Sequence, residues 1–201
     1  VSLSPDTWVR GSWNSGYLYD STVVRCFSHI HCWQLSGIPV MPTTGEVTGH
    51  RGMEAYKSPF SHQSEVVKPG YHRLTLNRYG IEVELTSTTR VGMHRYRYPK
   101  GEPANVLFDV GAFLGHGEMQ SAAIREVSDT EVRGYAVMAP TMRRQKPVKV
   151  FFVACFDQPF TEFGGWEMAG KEKQLVRKSS FEGANVGGYV RYEKLRGGKL
   201  Q

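Results

Sequence analysis

Alternation of apolar and polar side chains with a period of two is the feature that most limits the fold of this chain. The alternation is clearest at residues 80–86, where Ile81, Val83 and Leu85 point to one side and Glu82 and Glu84 point to the other. Such a pattern predicts a β-strand with one buried face. No segment shows a sustained helical period, and a short helical turn is predicted only near residues 118–123. The sequence therefore predicts an all-β protein with little helix.

Further strands are predicted at short intervals, separated by turn residues. Gly, with 22 copies, and Pro, with 10, favour many turns, because Gly accepts positive φ and Pro has a fixed φ. The run at residues 148–156 is almost continuously apolar, which predicts a central strand covered on both faces. The pattern as a whole predicts a large antiparallel β-sandwich of two packed sheets. The other predicted strands are Tyr71–Leu76 and residues 106–110, 131–139 and 186–192.

Charge and composition argue against several classes of protein. The formal net charge is +6 and the isoelectric point is near 9.3, but Lys and Arg are scattered and no run of them exceeds two. A nucleic-acid partner is not expected, because it would require a basic patch or stripe. No apolar run approaches the length of a membrane span, and no signal peptide is expected.

Cysteine usage indicates neither a metal site nor a redox pair. The three cysteines, Cys26, Cys32 and Cys155, cannot all pair with one another, and they contain no C-x-x-C spacing. We expect buried free thiols, which behave as small apolar side chains.

Residues 12–46 differ from the rest of the chain because aromatic rings and hydrogen-bonding side chains are concentrated there. Alternate residues of an extended chain share a face, so one face would carry the rings of Phe27, His29, His31 and Trp33. Rings stack on the apolar C–H faces of a pyranose, and polar groups bind its hydroxyl edges. We therefore predict a sugar-binding surface, with substrate-binding residues Trp13, Ser15, His29, His31, Trp33 and Gln34.

Two other interpretations of His29 and His31 stay open. On a strand, His-x-His places both imidazoles on one side, where they could bind a metal ion with a third ligand from His50 or His62. Alternatively, both histidines pack at a domain interface, where backbone groups satisfy their ring nitrogens. No nucleophile motif or phosphate-binding loop is present, so the sequence assigns no catalytic residue and no metal ligand.

The order of several motifs resembles the N-terminal region of glycoside hydrolase family 92, a family of exo-acting α-mannosidases. The resemblance covers most of residues 1–98 and weakens beyond them, where only the strand pattern agrees. A series of ordered motifs is far more specific than any single motif. The motifs are Leu3-Ser4-Pro5-Asp6-Thr7, Ser15-Gly16-Tyr17-x-Tyr19, Phe27-Ser28-His29-x-His31, Met41-Pro42-Thr43-Thr44-Gly45, Pro69-Gly70-Tyr71, and a run from Tyr79-Gly80-Ile81 through Glu84-Leu85-Thr86 to His94-Arg95-Tyr96.

The resemblance implies a two-part enzyme. The N-terminal part would be a β-sandwich of the supersandwich type, and the C-terminal part a helical (α/α)6 barrel that residues 1–201 do not include. The family releases terminal α-linked mannose with inversion, aided by calcium, and its acid, base and most calcium ligands lie in the helical part. The chain is therefore expected to be a single β domain, truncated at both ends and without a cofactor of its own, from a secreted or periplasmic bacterial enzyme. Its partners would be the helical catalytic domain and α-mannoside glycans.

The carboxylates of the family-like region do not form a recognisable catalytic pair. An inverting glycosidase needs an acid and a base held far enough apart to admit a water molecule. Glu82 and Glu84 lie on the polar face of a predicted strand, and we interpret them as solvated or structural. The chain alone is therefore expected to be inactive, although its parent protein would be a glycoside hydrolase. A free-standing carbohydrate-binding module and a structural β domain are the alternative functions.

Overall fold

A computed structural model of the protein describes residues 2–8, 16–30, 37–114 and 117–201. It is 52% strand and 5% helix, arranged in four antiparallel sheets, which confirms the all-β prediction. The helical elements of these ranges are the 3₁₀ turns Gly49–Arg51 and Arg196–Gly198 and one α-helical turn, Met53–Tyr56. The strands are β1 Ser4–Asp6, β2 Val23–Val24, β3 Cys26–Ser28, β4 Val40–Thr44, β5 Ser58–Pro59, β6 Val66–Lys68, β7 Tyr71–Leu76, β8 Ile81–Ser87, β9 Gly92–Arg97, β10 Ala104–Phe108, β11 Met119–Ser128, β12 Glu131–Met138, β13 Val148–Cys155, β14 Glu162–Ala169, β15 Glu172–Val176, β16 Ser180–Gly183, β17 Gly187–Tyr192 and β18 Lys199–Leu200.

The sandwich is built on a seven-stranded sheet with the order β1-β3-β4-β10-β17-β14-β15. A five-stranded sheet, β18-β9-β8-β7-β6, and a four-stranded sheet, β13-β12-β11-β16, pack against it, and β2 and β5 form a small separate pair. Phe27 contacts His94 of the five-stranded sheet, with ring centroids 6.2 Å apart, and Phe108 stacks on Phe152 of the four-stranded sheet at 5.9 Å. These contacts place the hydrophobic core between the large sheet and the two smaller ones.

Two strands show how the period-two pattern determines which face is buried. In β8, Ile81 and Val83 are fully buried and Leu85 is nearly so, as the alternation predicts. In β12, Val132 and Ala136 are likewise fully buried. Both strands lie inside their sheets, so one face packs on the core and the other carries polar side chains.

Two predictions about individual elements are wrong. Residues 148–156 do not form a central strand, because β13 lies at the edge of the four-stranded sheet and its outward residues Phe151 and Val153 are 72% and 58% exposed. Residues 118–123 do not form a helical turn, because they enter β11, which pairs with both β12 and β16. Ala122 and Ile124, two residues apart, both face the core.

The expectation of buried free thiols holds for one cysteine and fails for another. Cys26 is free and buried in β3, whereas Cys155 is free but exposed, because it lies on the outward face of β13. Cys32 lies outside the described residues. In the part of the chain that the structure describes, no helix is long and apolar enough to cross a membrane.

The backbone of Gly187 and of Gly49 packs directly against the ring of Trp166. Trp166 is fully buried in β14. A Cβ atom on Gly187 of the neighbouring strand would lie 2.1 Å from Cζ2 of Trp166, and one on Gly49 would lie 2.3 Å from Cη2. Only glycine leaves room for the indole ring at these two positions.

Candidate functional site

The predicted substrate-binding residues fall mainly in two segments that lie outside the described residues. We call residues 9–15 segment 1 and residues 31–36 segment 2. Segment 1 contains Trp13 and Ser15, and segment 2 contains His31, Trp33 and Gln34. The structure describes the sixth predicted residue, His29, and it describes the residues that flank both segments.

The two segments are attached at opposite ends of one strand pair. β1 and β3 are antiparallel, with Asp6 opposite Cys26 and Ser4 opposite Ser28. Segment 1 follows the Asp6 end of this pair, and segment 2 follows the Ser28 end. At roughly 3.4 Å per residue the two ends are roughly 7 Å apart. The described flanks of the two segments therefore leave this strand pair at opposite ends.

Asp6 holds the two flanks of segment 1 together. Its side chain is fully buried. Oδ1 accepts a hydrogen bond from the Trp8 amide (3.1 Å), and Oδ2 accepts from the Gly16 amide (3.0 Å) and from the Ser28 hydroxyl (3.0 Å). Burial raises the pKa of Asp6 to about 6, although these three hydrogen bonds and the charge of Arg25 act to lower it. One carboxyl group thus links both ends of segment 1 to β3.

Thr7 adds a second link on the same side. Its hydroxyl accepts a hydrogen bond from the Leu18 amide at 2.6 Å and lies 2.9 Å from the Leu18 carbonyl oxygen, to which it donates. The Thr7 amide also donates to the carbonyl of Gly16 at 3.1 Å. The Leu3-to-Thr7 motif therefore serves to anchor the chain that returns from segment 1.

His29 lies just beyond β3, half-buried, in a chain of hydrogen bonds between side chains. Its Nδ1 is 2.9 Å from the carbonyl oxygen of Ile38, and its Nε2 is 2.9 Å from Nε2 of His94. Nδ1 of His94 is in turn 2.8 Å from the hydroxyl of Tyr96. A carbonyl only accepts, so Nδ1 of His29 carries a proton. When both rings are neutral, His94 donates from Nε2 to His29 and accepts from the Tyr96 hydroxyl.

This arrangement favours packing over sugar contact for His29. Burial, with the neighbouring His29 as a second cause, lowers the pKa of His94 well below its ordinary value, so His94 is neutral at pH 7. Both ring nitrogens of His29 already have partners within the domain. The ring is therefore suited to fix the residues that flank segment 2.

The flanks of segment 2 are joined by short backbone contacts. The His29 amide donates to the carbonyl of Gly37 at 3.2 Å, and Ile30 forms an antiparallel bridge with Gly37. The next residue, Ile38, has a φ of 52°, a left-handed value that a β-branched residue rarely adopts. The His29 ring donates to the carbonyl of this strained residue. Strain of this kind persists only where surrounding contacts enforce it, and here His29 supplies one of them.

Sequence reasoning missed a cluster around Glu65, whose side chain is 5% exposed. Oε2 of Glu65 accepts from the Tyr17 hydroxyl (2.9 Å) and lies 2.6 Å from Nδ1 of His62, while Oε1 lies 2.6 Å from Nε2 of His72. Burial acts to raise the pKa of Glu65, but these hydrogen bonds lower it below its ordinary value overall. The His62-x-x-Glu65 spacing could have indicated the pair, because side chains three apart meet in one helical or tight turn.

The cluster also supports an exposed ring on the return from segment 1. Tyr19 is 67% exposed and stacks on His62, with ring centroids 4.4 Å apart and planes 19° from parallel. Nε2 of His62 lies 2.9 Å from the Tyr19 carbonyl oxygen. Residues 17–19 are thereby tied to the chain that leads into β6.

Three further interpretations can be compared with the structure. Phe27 is fully buried and not part of an exposed ring-bearing face, because its ring packs against His94 of the five-stranded sheet. Glu82 and Glu84 are structural, since they pair with Arg97 at 2.9 Å and Arg95 at 3.7 Å. Among the described residues, no group of three or more His, Cys, Asp or Glu side chains could hold a metal ion.

Comparison with known proteins identifies the family of this chain. The model for the glycosyl hydrolase family 92 N-terminal domain matches residues 1–201. No curated protein matches the chain. The chain is similar to the family 92 α-mannosidase BT3965 from Bacteroides thetaiotaomicron, solved alone and in complex with mannoimidazole, with 26% identity and TM-scores of 0.82 and 0.81. It is also similar to the family 92 glycosyl hydrolase ccman5, with 24% identity and a TM-score of 0.80.

These similarities cover 98% of this chain but only 28% of each of those chains. The similarity thus extends over a domain-sized part of much longer polypeptides. Because the family model covers the whole sequence, the chain belongs to glycoside hydrolase family 92, as its N-terminal domain.

Proposed function

We propose that this chain is the non-catalytic N-terminal domain of an exo-α-mannosidase, which releases terminal α-linked mannose with inversion. The observation that carries the proposal is the match of the whole chain to the family domain, together with its similarity to an α-mannosidase solved with mannoimidazole. In this proposal, segments 1 and 2 contribute to the rim of the mannose pocket. The enzyme would act on α-mannoside glycans outside the cell or in the periplasm.

The acid and base are assigned to polypeptide outside this domain. An inverting hydrolysis requires one carboxyl group to protonate the leaving oxygen and another to activate a water. Two buried carboxyl groups, Asp6 and Glu65, contact the residues that flank segment 1. Each accepts three hydrogen bonds from the protein. Side chains held in this way serve structure and are poorly placed to activate a water.

Calcium is assigned to the same outside polypeptide. The described residues offer no group of three or more acidic, His or Cys side chains that could bind it. A bound metal ion would polarise a substrate oxygen or the attacking water. The role of this domain is then to shape and orient the pocket.

The domain would bind sugar through the side chains of the two segments. Trp13 and Trp33 would stack on a pyranose, and Ser15, His31 and Gln34 would bind its hydroxyl groups. Asp6 and His29 would act as positioning residues, because they hold the flanks of segments 1 and 2. Asp6 and His29 are assigned positioning roles because their polar atoms already have hydrogen-bond partners within the domain.

A kinetic test separates binding from packing in a longer polypeptide that includes the catalytic domain. Trp33→Ala and His31→Ala are each expected to lower kcat/KM for an aryl α-mannoside. The loss of transition-state stabilisation that this ratio measures should be about 1–3 kcal/mol, through lost stacking for Trp33 and a lost hydrogen bond for His31. Met142→Ala, which removes a side chain that is 94% exposed on another part of the surface, serves as the control. Wild-type kinetics combined with a lower melting temperature would show that Trp33 and His31 are packing residues.

Three measurements test the non-catalytic role of this domain, the stereochemistry of the reaction and the alternative function. The purified 201-residue chain is expected not to hydrolyse the aryl mannoside, and turnover at the rate of the longer polypeptide would refute the proposal. Proton NMR of the first product should show β-mannose if the reaction inverts. Titration calorimetry of the 201-residue chain with mannose tests the alternative of a carbohydrate-binding module, which should bind mannose alone.

A further inference from the structure

The outward face of the four-stranded sheet carries an apolar surface that nothing in the described part of the chain covers. We call this surface the β13 face; it consists of Tyr135, Lys149, Phe151, Val153 and Cys155. Phe151 is 72% exposed and Val153 is 58% exposed. Large apolar side chains exposed at neighbouring positions on one face form a patch of the kind that interaction sites use.

Side-chain contacts hold the β13 face in a defined arrangement. Tyr135 is the cross-strand neighbour of Phe151, and their ring centroids are 6.1 Å apart. Nζ of Lys149 lies 3.8 Å from the centroid of the Tyr135 ring and 5.0 Å from that of Phe151. The face therefore presents two rings and a cation, which suits a partner with apolar and carboxylate side chains.

The strand that carries this face is also the longest edge strand of the three larger sheets in the described ranges. β13 has eight residues and, in the described ranges, pairs with β12 alone. The edge strands at the other ends of the three larger sheets have two to five residues. β13 contains no Pro, and its register with β12 shows no bulge. Lys149 is the one charged residue of β13, and edges of this length normally carry more protection unless something covers them.

The last residue of the chain lies beside the end of β13. The Gln201 amide donates to Oδ1 of Asp157 at 2.9 Å, and the Gln201 carbonyl accepts from the Asp157 amide at 3.0 Å. Asp157 is two residues beyond the end of β13. Polypeptide that continues from Gln201 would therefore emerge next to the β13 face.

We infer that, in the longer polypeptides of this family, the segment that follows this domain packs on the β13 face. The chain covers 28% of the similar mannosidase chains, so a large partner is attached to this domain in those proteins. A short connection from Gln201 reaches the face, and its apolar surface explains why residues 148–156 read as a strand covered on both sides. The inference rests on family membership and does not depend on the sugar pocket.

Native Cys155 provides a probe for this inference, because it is exposed on the β13 face while Cys26 is buried. In a Cys32→Ser background, the rate of alkylation of Cys155 is compared between the 201-residue chain and the longer polypeptide. The rate should be on the order of tenfold slower or more in the longer polypeptide, because a docked segment must open first. The control is Val67→Cys combined with Cys155→Ser, since Val67 is 61% exposed on β6, an edge strand of the five-stranded sheet. Its rate should be the same in both proteins.

The other outcomes overturn the inference. Equal Cys155 rates in the two proteins would show that the following segment does not cover the face, and equal slowing of Val67→Cys would show that the protection is not specific. A Cys155 rate that is already slow in the 201-residue chain, and rises on dilution, would assign the face to a second copy. Phe151→Asp should restore fast Cys155 alkylation in the longer polypeptide while leaving the melting temperature of the 201-residue chain unchanged. Mannoside hydrolysis by the wild-type longer polypeptide is measured separately, so failure of the proposed function stays distinguishable.

Discussion

Replacement of Asp6 by Asn is expected to change how the stability of this domain depends on pH. Asp6 is fully buried, and burial raises its pKa from the ordinary 3.8 to about 6. The folded protein then binds the Asp6 proton more tightly than the unfolded chain does. The stability contributed by this proton is fully present below about pH 4 and is lost as the pH rises through about 6.

The size of this effect follows from the change in pKa. Two pKa units correspond to about 3 kcal/mol of unfolding free energy. Asn cannot titrate, so the Asp6→Asn protein lacks this loss. Asn also presents one oxygen where Asp presents two, and reversal of the Ser28 hydroxyl can satisfy only part of the difference. The Gly16 amide then loses its acceptor, at a cost of about 1–3 kcal/mol that does not depend on pH.

Urea unfolding followed by tryptophan fluorescence at pH 4 and at pH 8 measures both contributions. The wild-type protein should be more stable than Asp6→Asn at pH 4, and this advantage should shrink by about 3 kcal/mol at pH 8. Ser28→Ala is the matched control, because it removes one hydrogen bond to Asp6 without removing the titrating group. Its effect should vary much less between the two pH values than that of Asp6→Asn. A wild-type advantage over Asp6→Asn that stays constant within about 0.5 kcal/mol would refute the assignment of a raised pKa to Asp6.

Three other predictions concern the rest of the domain. Glu65→Gln should lower the unfolding free energy by about 2 kcal/mol at pH 7. The difference should disappear in acid, because the stability from a carboxyl with a lowered pKa is present above its ordinary 4.5 and is lost as the pH falls through the folded value. An equal loss of unfolding free energy at pH 3 would contradict this prediction. Gly187→Ala should lower the stability by about 3 kcal/mol or more, because its Cβ would lie 2.1 Å from the Trp166 ring, and a thermal melt unchanged within a degree would refute this close packing. Cys155 should react with a thiol reagent in the native 201-residue chain while Cys26 does not, as mass spectrometry of the labelled peptides would show.

The strands that the sequence predicted best are those whose burial is decided by their own alternation. β8 and β12 lie inside sheets with one face on the core, so a local pattern of period two is sufficient to locate them. β13 was misplaced because its apolar residues occur on both faces, although only the inner face packs on the core of this domain. A local pattern indicates that a strand face is apolar. It does not indicate whether that face packs on a sheet of the same domain or on another polypeptide segment.

The anchoring groups of the candidate site could not be predicted, because they join residues that are distant in the sequence. Asp6 binds Gly16 and Ser28, and Glu65 binds Tyr17 and His72. These contacts depend on which strands pair and in which register, and neither is encoded by the spacing of the residues concerned. The sequence predicted that rings and histidines near positions 13 to 34 form the site. In the structure, carboxyl groups bind the residues that flank these positions.

The flanks of both segments are held by titratable side chains, and this has a consequence for the proposed pocket. The flanks of segment 1 are held by Asp6, which exchanges its proton near pH 6, and those of segment 2 by His29, whose partner His94 stays neutral at pH 7. Loss of the Asp6 proton strengthens its bonds to the Trp8 and Gly16 amides, because an ionised acceptor makes the stronger hydrogen bond. The same ionisation costs overall stability, because the charge is buried. The flanks of segment 1 are therefore held more firmly above pH 6 in a domain that is less stable overall, so KM and the melting temperature should both fall as the pH rises through about 6.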